Sequence, residues 1–186
     1  MYIANIKENS IENGYGVRCS VFVSGCKNHC KGCFQPETWC FKYGSLYTKE
    51  TEDQIIEMLK KKYCAGLTIL GGEPFELENQ PGVYQLIERV ISEREKNPTS
   101  TGLSNIWMYT GYTYDKDLVQ GGCRYSSEYT DRILNNIDIL VDGKFEEELK
   151  DISLSFRGSS NQRIIDIKAT RKYHSIILLN TENSLI

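Results

Sequence analysis

Short apolar segments alternate with amphipathic helical segments along this chain, and the alternation restricts the folds that it can adopt. Four predicted strands, each followed by a polar or glycine-containing loop, cover residues 17–23, 66–70, 106–109 and 137–141. Helical spacing of apolar residues begins near Thr51 and near Val83, and it recurs over 114–118 and 127–135. Two later apolar segments, 163–167 and 175–179, are predicted as strands too. Strands that alternate with helices are typical of a parallel sheet.

This pattern predicts a protein of the α/β class. A complete eight-stranded (β/α) barrel typically needs about 250 residues, whereas this chain has 186. We therefore expect a partial, open (β/α) barrel with a mostly parallel sheet. No internal repeat, low-complexity tract or linker suggests a second domain, so residues 1–186 are predicted to form one domain.

The loops that follow the predicted strands carry most of the distinctive residues. In parallel α/β sheets, ligands bind beyond the carboxyl ends of the strands. A cysteine-rich loop, Gly71-Gly72-Glu73-Pro74, Thr110-Gly111 and Asp142-Gly143 each follow a predicted strand. We expect these four loops to meet on one rim of the sheet.

The cysteine-rich loop contains Cys26, Cys30 and Cys33 in the spacing C-x-x-x-C-x-x-C, without an equally placed fourth cysteine. A 4Fe-4S cluster is normally held by four thiolates. A metal site that lacks one protein ligand keeps a coordination position open for a substrate. The total of seven cysteines is odd, which favours metal binding or catalysis over disulfides in an intracellular chain.

Two other interpretations fit the cysteine spacing. A structural zinc site would take its fourth ligand from Cys19, Cys40, Cys64 or His29. An electron carrier would use Cys40 to complete a four-cysteine cluster. The spacing alone favours iron-sulfur over zinc.

Charge and hydropathy exclude two classes of partner. The formal net charge is −3 and the basic residues are scattered, so we expect no nucleic-acid binding. No apolar run approaches the roughly 18 residues that a membrane span needs. The first residues lack the order of a secretory signal, and a cytoplasmic location is therefore expected.

The cysteine motif, followed by Gly-Gly-Glu-Pro, resembles the radical S-adenosylmethionine superfamily. Within it, seven further blocks resemble the branch that activates anaerobic ribonucleoside-triphosphate reductase: 16–20, 24–26, 30–34, 36–39, 109–113, 139–143 and 156–163. Two positions depart from these patterns. Gly32 stands where many superfamily members have an aromatic residue, and Tyr15 replaces the proline usual in the branch.

The resemblance implies a 4Fe-4S cluster bound by Cys26, Cys30 and Cys33, with one iron free to chelate S-adenosylmethionine. Reductive cleavage would give methionine and a 5′-deoxyadenosyl radical. In the family, this radical takes a hydrogen from a glycine Cα of the reductase, and a reduced donor such as a flavodoxin supplies the electron. The cofactors carry this chemistry, so no catalytic side chain is predicted. The same activity on another glycyl-radical enzyme or on a small molecule is the alternative.

The resemblance also implies contacts with S-adenosylmethionine. Gly32, Cys33 and Phe34 would lie at the adenosyl portion, although Phe34 would also suit simple packing. The stretch Gly71, Gly72, Glu73 and Pro74 would hold the methionine ammonium through backbone carbonyls or Glu73, although a glycine pair after a strand also marks an ordinary turn.

The remaining polar and aromatic candidates are open or structural. A guanidinium from Arg157 or Arg163 would suit either a carboxylate or a docked partner. Tyr109, Tyr112 and Trp39 are interpreted as core or rim aromatics.

Overall fold

The computed structural model describes residues 1–180 and contains a seven-stranded sheet that does not close. The strands lie in the order β3-β1-β2-β4-β5-β6-β7. They are β1 Tyr2–Ser10, β2 Val17–Val23, β3 Ser45–Leu46, β4 Cys64–Gly71, β5 Ile106–Tyr109, β6 Ile139–Asp142 and β7 Arg163–Asp166. The central strands β2, β4, β5 and β6 are parallel, and β1, β3 and β7 pair antiparallel. The predicted partial, open barrel is confirmed.

Five α-helices are described: α1 Lys49–Leu59, α2 Gln80–Lys96, α3 Tyr114–Asp117, α4 Thr130–Asn136 and α5 Ile167–Tyr173. Helix α1 begins before the expected Thr51, because the Thr48 side chain accepts a hydrogen bond from the Thr51 backbone N–H. Helix α5 was not predicted. The Asp166 carboxylate caps it by accepting from Ala169 N at 2.8 Å, and so turns the chain from β7 directly into a helix.

The sheet differs from the sequence prediction at β1 and in the segment that follows β7. Strand β1 was not predicted, although it pairs along β2 and contributes Ile3 to the core. The segment 175–179 was predicted as a strand, and this is wrong. Helix α5 follows β7, and the chain then returns to β7 at one isolated bridge, Leu178 with Ile165, instead of a strand.

The two faces of the sheet carry different side chains. Cys19, Val21 and Val23 of β2 belong to a large buried core that also contains residues of α1, α2 and α4. Because strand side chains alternate between faces, Arg18 lies on the opposite face of β2. A smaller aromatic cluster around Trp107 packs near that arginine.

The described helices are not membrane spans. None of those in residues 1–180 is both long enough and apolar enough to cross a bilayer.

Candidate metal centre

One pocket of about 380 Å³ collects the predicted strand-end loops. Cys26, Cys30 and Cys33 all line it. The carboxyl ends of β4 and β5 and the loops after β4, β5 and β6 contribute residues 71–73, 109–111 and 143 to the same pocket. The expected meeting of the four loops on one rim is confirmed. The three cysteines lie in the loop that follows β2.

The backbone of the cysteine loop is held against the 3-10 turn Pro36–Trp39. Gly25 N donates to the carbonyl of Thr38 at 2.7 Å, and Cys26 N donates to that of Trp39 at 3.3 Å. Gly25 has φ +98°, and a Cβ there would lie 2.3 Å from the Phe41 ring. Glycine is therefore required for this close approach. The His29 ring stacks on Trp39 with centroids 4.5 Å apart.

Glu73 ties three of the loops together from a fully buried position. Its Oε2 accepts from Gly111 N at 2.7 Å and from Asn28 Nδ2 at 3.2 Å. Its Oε1 accepts from the Thr110 hydroxyl at 2.8 Å and from Phe75 N at 2.9 Å. Burial raises the pKa of Glu73 to about 7, while these hydrogen bonds favour its ionised form.

A second buried carboxylate, Glu76, holds the residue that follows Cys26. Its Oε1 accepts from Lys27 N at 2.8 Å and from the Tyr112 hydroxyl at 3.1 Å. Its Oε2 lies 3.3 Å from Arg124 Nε. Sequence reasoning missed Glu76, although an acidic residue three positions after Glu73 and next to apolar Phe75 was a signal for it.

The three cysteines line one pocket without forming a preassembled site for a single ion. Among residues 1–180, no three Cys, His, Asp or Glu side chains form a group that would hold one metal ion. The ligands of a 4Fe-4S cluster bind different irons and can line an open pocket. Burial raises the pKa of the Cys26 thiol to about 11 and also raises that of Cys30, so metal binding has to displace their protons.

None of the fourth ligands considered for zinc or for an electron carrier lines the pocket. Cys19 and Cys64 are buried in the large core. Cys40 is exposed and does not line the pocket. His29 is stacked on Trp39 and is also absent from the pocket wall.

Most of the predicted S-adenosylmethionine contacts line the pocket. Cys33, Phe34, Gly71, Gly72 and Glu73 do so, whereas Gly32 and Pro74 do not.

The wall also contains aromatic residues outside the predicted set. Trp39 and Tyr109, interpreted from the sequence as core or rim residues, line the pocket, as do Phe145 and Phe156. Phe34 is 69% exposed, and its ring packs on that of Phe145 with centroids 5.4 Å apart. No local pattern in the sequence linked Phe145 to the cysteine loop.

The two open arginine candidates have different surroundings. Arg163 Nε donates to Asp142 at 2.9 Å, and its Nη2 donates to Asp115 at 2.7 Å. Arg157 lines the pocket and donates from Nη1 to the carbonyl of Gln162 at 2.9 Å. Arg163 is thus paired with two carboxylates of this chain.

Comparison with known proteins places these residues in a family context. Residues 12–165 match a family model described as a 4Fe-4S single cluster domain. Proteins named anaerobic ribonucleoside-triphosphate reductase-activating protein are 40% identical in Vibrio cholerae, 38% in Salmonella typhi and 36% in Pasteurella multocida. The matches cover 82–83% of this chain and 90% of each relative. No solved structure matches significantly.

Proposed function

Because this chain belongs to the family of anaerobic ribonucleoside-triphosphate reductase-activating proteins and contains a 4Fe-4S single cluster domain, we propose that it is a radical S-adenosylmethionine activase. Its substrate is an anaerobic ribonucleoside-triphosphate reductase, on which it installs a glycyl radical. The single observation that carries the proposal is the meeting of three cysteines and three other strand-end loops in one pocket. Residues 1–186 act as one domain.

The cysteines hold the cluster in this proposal. Cys26, Cys30 and Cys33 would hold the cluster through their thiolates, with no fourth cysteine ligand, and S-adenosylmethionine would bind beside it. When bound, the cluster supplies the electron that splits S-adenosylmethionine into methionine and a 5′-deoxyadenosyl radical able to take hydrogen from a glycine Cα. A reduced donor such as a flavodoxin provides that electron.

The loop after β4 orients the methionine end of S-adenosylmethionine. A Cβ on Gly71 would lie 2.7 Å from the carbonyl oxygen of Val23, and one on Gly72 would lie 2.8 Å from that of Gly25. These glycines let the loop pack against the end of β2 and leave its backbone carbonyls for the ammonium. Glu73 positions this loop, because both of its oxygens already accept hydrogen bonds from the chain.

The pocket walls protect a reactive intermediate. Phe34, Tyr109, Phe145, Leu154 and Phe156 supply apolar and aromatic surface around the cysteines, which excludes water from the reacting atoms. The open sheet leaves one side of the pocket for the glycine-bearing segment of the reductase.

An anaerobic assay tests the function. The cluster is reconstituted and reduced, S-adenosylmethionine is added, and 5′-deoxyadenosine is quantified with and without the reductase while electron paramagnetic resonance detects a glycyl radical. We expect cleavage and a reductase-dependent radical. Cys33→Ala should abolish both, whereas Cys40→Ala should retain both.

The other outcomes separate the alternatives. Cleavage without a radical on this reductase would move the activity to another glycyl-radical enzyme or to a small molecule. An intact, reduced cluster that does not cleave S-adenosylmethionine would identify an electron carrier and contradict the proposal.

A further inference from the structure

Arg157 is a cation without a carboxylate partner in the described part of the chain. It lines the same pocket as the three cysteines, and no other Lys or Arg in residues 1–180 lines it. Its Nη1 bonds the Gln162 carbonyl, while its Nε is buried without a hydrogen-bond partner. An N–H group in that state costs free energy unless a ligand supplies an acceptor.

Two other arginines, Arg163 and Arg124, have acidic partners. Arg163 binds Asp142 and Asp115, and Arg124 lies 3.3 Å from a buried Glu76 oxygen. Arg157 therefore differs from Arg163 and Arg124. Its positive charge is not paired with a carboxylate of the described residues and is available to a ligand.

The acidic residues of the pocket do not neutralise Arg157. The Glu12 carboxylate accepts from the Ser10 hydroxyl at 2.6 Å and pairs with Lys7 at 3.3 Å. The Glu73 carboxylate is engaged by the loop donors described above. The pocket thus combines a cation with carboxylates that already have partners.

The backbone around Arg157 is fixed before any ligand binds. Gln162 Oε1 accepts from Gly158 N at 2.8 Å, and its Nε2 donates to the Gly143 carbonyl at 3.0 Å. On the other side, the Tyr109 hydroxyl donates to the Phe156 carbonyl at 2.8 Å. Phe156 has φ +58°, an uncommon conformation for an aromatic residue, and strain of this kind concentrates at functional sites.

We propose that Arg157 binds a carboxylate in this pocket, and that the carboxylate is that of the methionyl group of S-adenosylmethionine. The inference rests on the proposed function. A guanidinium presents N–H donors in a planar fork that matches a carboxylate, and such charge-assisted pairs are the strong ones. Arg157 thereby orients the methionyl end relative to the cluster, whereas Arg163 only shapes the loop.

Equilibrium binding to the cluster-loaded, oxidised protein tests this without turnover. The probes are S-adenosylmethionine and decarboxylated S-adenosylmethionine, which keeps the sulfonium and the amine. For Arg157→Gln we expect affinity for S-adenosylmethionine to fall about 10-fold to 100-fold, with affinity for the decarboxylated probe unchanged. The matched control Arg132→Gln removes an equal charge from an exposed helical position outside the pocket and should bind both probes as wild type does.

A second variant keeps the test valid if Arg157→Gln does not fold or load a cluster. Arg157→Lys retains the charge without the fork, and it should lose affinity for S-adenosylmethionine only, to a smaller extent. Thermal unfolding and iron content verify each variant.

Several results would overturn the inference. Unchanged affinity for S-adenosylmethionine in Arg157→Gln would do so, as would an equal loss for both probes, which would mean that the residue merely shapes the pocket. A loss confined to binding of the reductase would assign the carboxylate to the protein partner. Failure of the wild-type protein to bind S-adenosylmethionine would instead overturn the proposed function as well.

Discussion

The seven thiols of this chain are chemically alike in the sequence, and their surroundings make them different. Cys19 is fully buried, and burial raises its pKa to about 12. Cys40 and Cys123 are exposed, whereas Cys30 and Cys33 are half-buried at the pocket. Since the thiolate is the reactive form, reactivity should follow these positions.

This difference predicts the order of alkylation near neutral pH. In the cluster-loaded protein, Cys40 and Cys123 should react first. Cys123 should be the slower of the two, because burial and a hydrogen bond to Asp117 raise its pKa. After the iron is removed with a chelator under reducing conditions, Cys30 and Cys33 should become reactive. Peptide mass spectrometry measures each site over time.

The same experiment distinguishes the ligand sets. Protection of Cys40 that disappears with the iron would make it a fourth ligand and contradict the three-cysteine site. Cys19 serves as the internal control, because it should stay unmodified in both forms of the folded protein.

At the scale of elements, the periodicity of apolar residues identified the central strands. It did not identify the side-chain contacts that join the loops after those strands. The alternation in β2 and the apolar run in β4 were sufficient to locate both strands. Glu76 connects residues far apart in the chain, through hydrogen bonds from Lys27 and Tyr112 and an ion pair with Arg124. No local pattern predicts such contacts, because they arise only when parallel strands bring their loops together.

The contacts of Glu76 with Lys27, Tyr112 and Arg124 act as a clamp between loops. Glu76 and Glu78 provide a matched pair for testing this clamp, since both contact Lys27. Glu76 is buried and also holds the Lys27 N–H, whereas the Glu78 side chain is 52% exposed and meets only the lysine ammonium. Glu76→Ala should lower the free energy of unfolding by about 3 kcal/mol, because it leaves Arg124 without its buried carboxylate. Glu78→Ala should cost less than about 1 kcal/mol.

Urea unfolding and iron content after gel filtration measure the two effects. Glu76→Ala should also retain less iron, since its loss frees the backbone next to Cys26. Equal iron retention in the two variants would show that the clamp stabilises the fold without positioning the cysteine loop.

At the scale of the whole molecule, the sheet keeps the hydrophobic core, which stabilises the fold, apart from the pocket that contains the three cysteines. One face packs on the helices in a large core, and the pocket lies at the carboxyl ends of the parallel strands. The parallel central strands and the rim could be predicted because they follow from the alternation of strands and helices. Strand β1 and the place of Phe145 in the pocket wall could not, since both depend on contacts between distant segments. Helix α5 was missed although its cap, Asp166, is local.

This separation predicts that the chain stays folded after its cluster is removed. Small zinc domains unfold without metal because the metal replaces a core, whereas here Ile55, Leu67, Leu86 and Ile106 are completely buried away from the cysteine loop. Far-ultraviolet circular dichroism should therefore change little between loaded and iron-free protein, and both should unfold cooperatively. The loaded form should unfold at the higher temperature, because a ligand that binds only the native state stabilises it. A coil-like spectrum for the iron-free chain would mean that the cysteine loop is needed to form the sheet, since β2 leads directly into it and lies between β1 and β4.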